Sequence, residues 1–276
     1  MPSLSFLPTL LLFLLFLNSS THLICNASDS ITPTQPLSGT RTITSKGGIF
    51  ELGFFTPSNS SQRHYIGIWY KQVPEKTIVW VANRETPLPN TANSLLKLSE
   101  DGNLVLLGPS NSSIWSTKFT STLPSSNSTV AVLLDSGNLV LRDIKDPSAV
   151  HWESFAHPTD TFLPGGWLGI KNKTTGENAR LTSWKSKEDP APGLFSHEMD
   201  SNQISQLVCL WNGTEEYWRS GVWYGSGFVD VPESQAHGES FVNNQTASTT
   251  PTRSSIIRLS ATWCSTFQAK SRDSLG

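Results

Sequence analysis

The sequence predicts an all-β chain built from three similar units. Three observations carry this: short apolar runs closed by turn residues, little room for helices, and a repeat of 35 to 37 residues. The runs are GIFELGFF (48–55), TIVWVAN (77–83), NLVLL (103–107), STVAVLL (128–134), NLVLR (138–142) and SIIRL (255–259). All are β-branched or apolar and bounded by Gly, Pro, Asn, Asp or Ser, as strands are. With 19 glycines and 17 prolines spread along 276 residues, a helix of more than three turns has little room.

The repeat supplies the architecture. Gly-Asn-Leu-Val-Leu starts at Gly102 and again at Gly137, and a looser copy, GGIFELGFF, starts at Gly47. Trp80, Trp115 and Trp152 keep nearly the same beat, 35 and then 37 residues apart. Each unit is a Gly-turned hairpin with a Trp-bearing strand, and one unit alone cannot bury its apolar face. Three small sheets packed around a shared axis bury all three faces, each sending one Trp to the middle. Trp is also a common platform for stacking sugars, but its regular beat assigns these three to the core.

Composition and targeting signals narrow the setting. The chain carries 20 Lys+Arg against 22 Asp+Glu, for a net charge of -2, with no basic run, which excludes a nucleic-acid binder. The apolar run Leu10–Leu17 is shorter than the roughly 20 residues a bilayer span needs. It matches the core of a secretory leader cut after Ala27, with Cys25 and Ala27 at the −3 and −1 positions. No second apolar segment of spanning length follows, so the mature chain is expected to be secreted with no membrane span. Asn-x-Ser/Thr glycosylation signals stand at Asn26, Asn59, Asn111, Asn127, Asn172, Asn212 and Asn244, beside Asn18 within the leader. Of three cysteines, Cys25 leaves with the leader, and Cys209 and Cys264 remain as a candidate pair.

The ordered motifs GGIFELGFFTP, YIGIWYK, IVWVANRETPL, LSEDGNLVLL, LLDSGNLVLRD and WESFAHPTDTFLPG resemble the bulb-type (monocot mannose-binding) lectin domain that opens plant S-domain receptor-like kinases and S-locus glycoproteins. LTSWKSKEDPAPGLFS and LWNGTEEYWRSGVWYG resemble the S-locus glycoprotein domain that follows it in that family. The resemblance implies a β-prism II of three four-stranded sheets with pseudo-threefold repeats, a smaller β-rich domain after it, and an extracellular setting. Residues 1–27 are then the signal peptide, 28–172 the bulb-type lectin domain, 173–245 a partial S-locus glycoprotein domain and 246–276 an atypical tail.

Sugar-binding bulb lectins carry Gln-x-Asp-x-Asn-x-Val-x-Tyr along one strand, a spacing that puts all five side chains on one face. Asp accepts hydrogen bonds from sugar hydroxyls, Asn both donates and accepts, and Val offers an apolar surface. Here the first candidate keeps Asp101, Asn103 and Val105, with Ser99 for Gln and Leu107 for Tyr. The second keeps Asn138 and Val140, with Leu134, Ser136 and Arg142 at the other places. Asp135 is present but one residue out of register, which turns it to the other face. The copy around GGIFELGFF keeps none of the polar set. The competing reading is that Asp-Gly and Ser-Gly-Asn are hairpin turn chemistry, and it is the favoured one at both places.

No catalytic residue, cofactor motif or metal-ligand cluster emerges. Cys-x-x-Cys, His-Glu-x-x-His, Gly-x-Ser-x-Gly and phosphate-binding glycine motifs are absent, as are the kinase signatures. His157-Pro158-Thr159-Asp160 reads as a turn with a capping Asp. Two function classes remain. One is a secreted, lectin-like recognition module, resembling a receptor-kinase ectodomain or its soluble glycoprotein relative, whose family role includes recognition of pollen. Its candidate partners are a mannose-type glycan, a protein or peptide ligand, or another S-domain receptor ectodomain. The other class is a non-binding, truncated product of a decayed receptor-kinase gene.

Overall fold

Strand formation follows the turns. Gly102 and Gly137 take φ of 81° and 83°, a region open to glycine at little cost, and each closes a hairpin between two apolar strands. The computed structural model describes residues 28–58, 62–119, 128–172, 177–200, 205–231, 240–244 and 254–258. The chain enters through β1 (Ser30–Ile31), β2 (Leu37–Ser38) and β3 (Thr42–Thr44). It then forms three successive meanders. The first is β4 (Phe50–Phe55), β5 (Tyr65–Tyr70) and β6 (Ile78–Val81); the second is β7 (Leu95–Leu98), β8 (Leu104–Leu107) and β9 (Ser113–Ser116); the third is β10 (Thr129–Leu133), β11 (Leu139–Asp143) and β12 (Val150–Glu153).

The three entry strands complete these meanders in reverse order. β3 joins the first, β2 the second and β1 the third, giving three antiparallel four-stranded sheets, β3-β4-β5-β6, β2-β7-β8-β9 and β1-β10-β11-β12. The opening segment therefore joins each of the three prism sheets and holds the prism together. Along β8 burial alternates, with Leu104 and Leu106 fully buried and Val105 and Leu107 half-exposed, the period-two signature of a sheet with one face on the core. Leu104, Leu106, Leu139 and Leu141 meet Phe50 and Leu52 in one apolar cluster along the axis.

The tryptophans meet as the repeat predicts. Trp80, Trp115 and Trp152 sit with ring centroids 5.9, 6.0 and 5.8 Å apart and interplanar angles of 76°, 68° and 77°. Each edge points at a neighbouring face, the arrangement that aromatic quadrupoles prefer. Trp80 Nε1 donates to the His157 carbonyl at 2.8 Å, and the His157 ring stacks on Trp152 at 5.3 Å. The His-Pro-Thr-Asp segment thus caps the triad, and Thr159 Oγ1 donates to Asp160 Oδ1 at 3.2 Å.

Beyond the prism come β13 (Trp167–Asn172), β14 (Glu177–Ala179), β15 (Leu181–Ser186), β16 (Asp189–Met199), β17 (Leu207–Trp211), β18 (Glu215–Arg219), β19 (Ser240–Asn244) and β20 (Ser254–Arg258). They form two further four-stranded sheets, β15-β16-β17-β18 and β14-β13-β20-β19. β13 and β20 therefore share a sheet, although the resemblance places β13 in the lectin domain and β20 in the tail. Among the described residues the helical content is the 3₁₀ turn Ser154–Ala156 and Ser128, which precedes β10.

Arg84 locks the prism to β15–β16. Its Nε donates to the Pro190 carbonyl at 2.7 Å, Nη1 and Nη2 donate to the Thr182 carbonyl at 3.1 Å, and Nη2 donates to the Ser183 carbonyl at 2.8 Å. Burial pulls the Arg84 pKa down, opposed by the charges of Asp160 and Glu85. The planar fork reaches three carbonyls at once, which a lysine cannot do. Arg63 pairs with Asp189 at 2.9 Å, and Trp184 packs on Phe55, Tyr65 and Trp69 of the first sheet.

Candidate functional site

The hairpin that opens β8 brings Asp101, Asn103 and Val105 together. Asp101 is exposed, and its carboxylate accepts hydrogen bonds from Ser99 Oγ, from the Asn103 N–H at 3.1 Å and from Asn103 Nδ2 at 3.0 Å. The bond from Ser99 and the Asn103 N–H hold the carboxyl below the usual carboxylate range. Asn103 is 6% exposed and fully engaged within the chain. Besides Asp101, its Nδ2 donates to the Phe119 carbonyl at 3.3 Å. Its Oδ1 accepts from Thr117 Oγ1 at 2.7 Å and from the Phe119 N–H at 3.0 Å. Both amide hydrogens and both lone pairs are therefore used. Val105 is half-exposed on β8, between Lys97 of β7 and Ser116 of β9.

The third sheet repeats the arrangement. Asn138 is also 6% exposed; its Nδ2 donates to Glu153 Oε2 at 3.0 Å, and its Oδ1 accepts from Ser154 Oγ at 3.0 Å and the Phe155 N–H at 3.2 Å. Val140 is buried, at 3% exposure. Asp135 accepts a 2.6 Å bond from the Gly47 N–H of the first hairpin, joining two sheets.

These bonds share a rule absent from the sequence reading. The residue two after the repeat Trp is a hydroxyl, Thr117 after Trp115 and Ser154 after Trp152. Each hydroxyl donates to the Asn Oδ1 and accepts the N–H of the next residue, Leu104 at 3.2 Å or Leu139 at 2.9 Å. In the first unit Ile49 replaces Asn and Ala82 replaces the hydroxyl. There Ser45 Oγ takes over, accepting from the Ile49 and Phe50 N–H groups at 3.2 Å each. Both partners are lost together in this unit, which marks the pair as a strut.

Asn111 and Asn212 are exposed in turns, with φ of 59° and 53°. Asn172 ends β13 and Asn244 ends β19. Asn26, Asn59, Asn127 and Cys264 lie outside the described residues. Cys209 is a half-buried thiol whose pKa burial pushes up. No group of three or more His, Cys, Asp or Glu among the described residues is placed to hold a metal. No helix among the described residues is long and apolar enough to cross a membrane.

Three sheets round a tryptophan triad define a bulb-type lectin fold, the β-prism II. Residues 77–185 match the family model described as D-mannose binding lectin. The chain is 43% identical over 230 residues to a G-type lectin S-receptor-like serine/threonine-protein kinase of Arabidopsis thaliana, covering 81% of this chain and 27% of that one. It is 43% identical over 235 residues to an S-locus-specific glycoprotein of Brassica oleracea, covering 84% of this chain and 52% of that one. A monomeric monocot mannose-binding lectin from Gastrodia elata is similar at 18% identity and a TM-score of 0.33, covering 46% of this chain and 96% of that one. The chain belongs to the bulb-type lectin proteins of the S-receptor-like kinase and S-locus glycoprotein kind. It spans about a quarter of the length of the receptor-like kinase and about half that of the S-locus glycoprotein.

Proposed function

We propose that this module is exported and recognises a protein or peptide partner, or a second S-domain ectodomain, in place of mannose. The observation that carries the reading is the engagement of Asn103: a side chain whose two donors and two acceptor sites are satisfied inside the chain has none left for sugar hydroxyls. Asn138 is held by one donated and two accepted bonds, and the buried Val140 offers no apolar surface beside it. Export is supported by the leader pattern and by sequons at exposed turns. The test is co-purification of the full chain with S-domain receptor ectodomains, run beside a glycan array. Association without glycan binding supports the proposal, and mannose binding without association overturns it.

A second reading keeps one sugar contact at Asp101, Asn103 and Val105. It is favoured by the mannose-binding description of the matching family and by the solvent exposure of Asp101. Array binding that disappears in Asp101→Ala would establish it. Asp101 is the residue to change, because truncating Asn103 removes a strut as well.

A further inference from the structure

The sheet β15-β16-β17-β18 leaves aromatic surface in water at one end. Tyr217 is 66% exposed and Trp211 45%. Phe195 meets Tyr217 edge to face at 5.5 Å and stands opposite Trp211 across the β16–β17 ladder, so the rings gather beside the β17–β18 turn. Exposed apolar surface gathered in one place calls for a cover.

That turn is Asn212-Gly213-Thr214, a glycosylation signal at the tip of the hairpin. Asn212 and Gly213 take φ of 53° and 76°, and the Thr214 N–H donates to the Trp211 carbonyl at 3.3 Å, a turn with the positive φ pair of type I′. The Asn212 N–H is anchored on the Leu194 carbonyl at 2.8 Å. All three residues of the signal are exposed, so a modifying enzyme can reach both the Asn amide and the Thr hydroxyl. The sequon at Asn111 is a natural control: it lies in a turn of similar φ, flanked by Ser110 and Ser112 in place of an aromatic.

We propose that Asn212 carries an N-linked glycan whose innermost N-acetylglucosamine lies against Trp211, so that the chain's own sugar covers the aromatic end of this sheet. The apolar C–H face of a pyranose against an indole buries both from water and points the C–H groups at the negative ring face. The fixed backbone of the turn limits the entropy lost when the first sugar settles. This proposal rests on the export reading above.

The test uses the full chain secreted from insect cells, with site occupancy read by glycopeptide mass spectrometry and ring accessibility by hydroxyl-radical labelling. Asn212 is expected to be occupied. Trimming every glycan to one N-acetylglucosamine is expected to leave Trp211 protected, whereas removing that last sugar raises its labelling severalfold and leaves buried Trp69 unchanged. Thr214→Ala should label like the stripped protein, and Thr214→Ser like the parent. A bare Asn212 beside an occupied Asn111 overturns this proposal alone, as does unchanged Trp211 labelling once an occupied Asn212 is stripped. Retention in the cell with every sequon unmodified overturns the export reading and this proposal with it.

Discussion

Replacing Asn103 with Ala separates a strut from a sugar ligand. The wild-type side chain makes four hydrogen bonds, to Asp101, Thr117 and twice to the Phe119 backbone. At about 1 kcal/mol net for each, their sum approaches ~4 kcal/mol. Truncation also leaves the buried Thr117 hydroxyl without an acceptor for its proton, and water entering the vacated space offsets part of the loss. The expected cost is therefore roughly 2–4 kcal/mol. Urea unfolding followed by tryptophan fluorescence is the assay, because Trp80, Trp115 and Trp152 report on the prism. A loss below about 0.5 kcal/mol, the ordinary range of a surface substitution, would refute the strut reasoning.

Asn103→Asp sharpens the same test through pH. The substitution keeps the acceptor bonds from Thr117 and Phe119 but turns a donor into a carboxylate beside Asp101 and the Phe119 carbonyl. Burial and the neighbouring charge raise the new carboxyl's folded pKa above its unfolded value near ~3.9. A raised folded pKa means stability is present below the unfolded value and lost as pH rises through the folded one. The variant should thus be closest to wild type in acid and weakest near neutrality, and a pH-independent deficit would count against the geometry.

Three further outcomes follow from other parts of the fold. A Cβ at Gly137 would sit 2.7 Å from Leu163 Cδ1 and 3.0 Å from the Phe50 ring, against a nearest contact of 3.3 Å at Gly102. Both residues have positive φ, so calorimetry should show Gly102→Ala costing about 1 kcal/mol and Gly137→Ala about 1–3 kcal/mol more. Arg84→Lys cannot span the Thr182, Ser183 and Pro190 carbonyls, and both it and Arg84→Ala should cost about 3–5 kcal/mol, with hydrogen exchange rising first in β15 and β16. Burial lowers the pKa of His197 from 6.5 to about 4, so its contribution is present above the unfolded value and lost as pH falls from 6.5 towards 4. Acid titration of unfolding should show a loss of about 3 kcal/mol across that window that His197→Gln removes.

The prism was legible because its signals are local and repeated. Gly102 and Gly137 mark the same turn, and the Trp beat set the number of sheets before any pairing was known. The reverse-order closure by β1, β2 and β3 was not legible, since two- or three-residue strands such as Ser30–Ile31 carry no periodicity. Nor was the role of Arg84, which directly follows the strand-like run TIVWVAN. Its partners are carbonyls 98 to 106 residues away, and backbone acceptors leave no mark on sequence.

The candidate sugar site shows why residue type alone underdetermines role. Asp101 and Asn103 have the spacing and chemistry to greet sugar hydroxyls, and period-two alternation would turn both towards solvent. The alternation fails at Asn103 because it precedes β8, at the hairpin, where the chain from Ser116 to Phe119 passes close enough to offer a hydroxyl, a carbonyl and an N–H. A buried amide that can satisfy every donor and acceptor within the chain has no reason to stay open to solvent. Ile49 and Ala82 show the consequence. In the unit that lost both partners, a serine in the turn holds the same strand end, so selection on the fold alone can retain or discard the polar letters as matched pairs. A sugar-binding unit would instead have to keep Asn whatever stood two residues after the Trp. Replacing Asn103 and Thr117 together by Ile and Ala should therefore cost less stability than the two single changes summed, because neither truncation then strands the other's buried group.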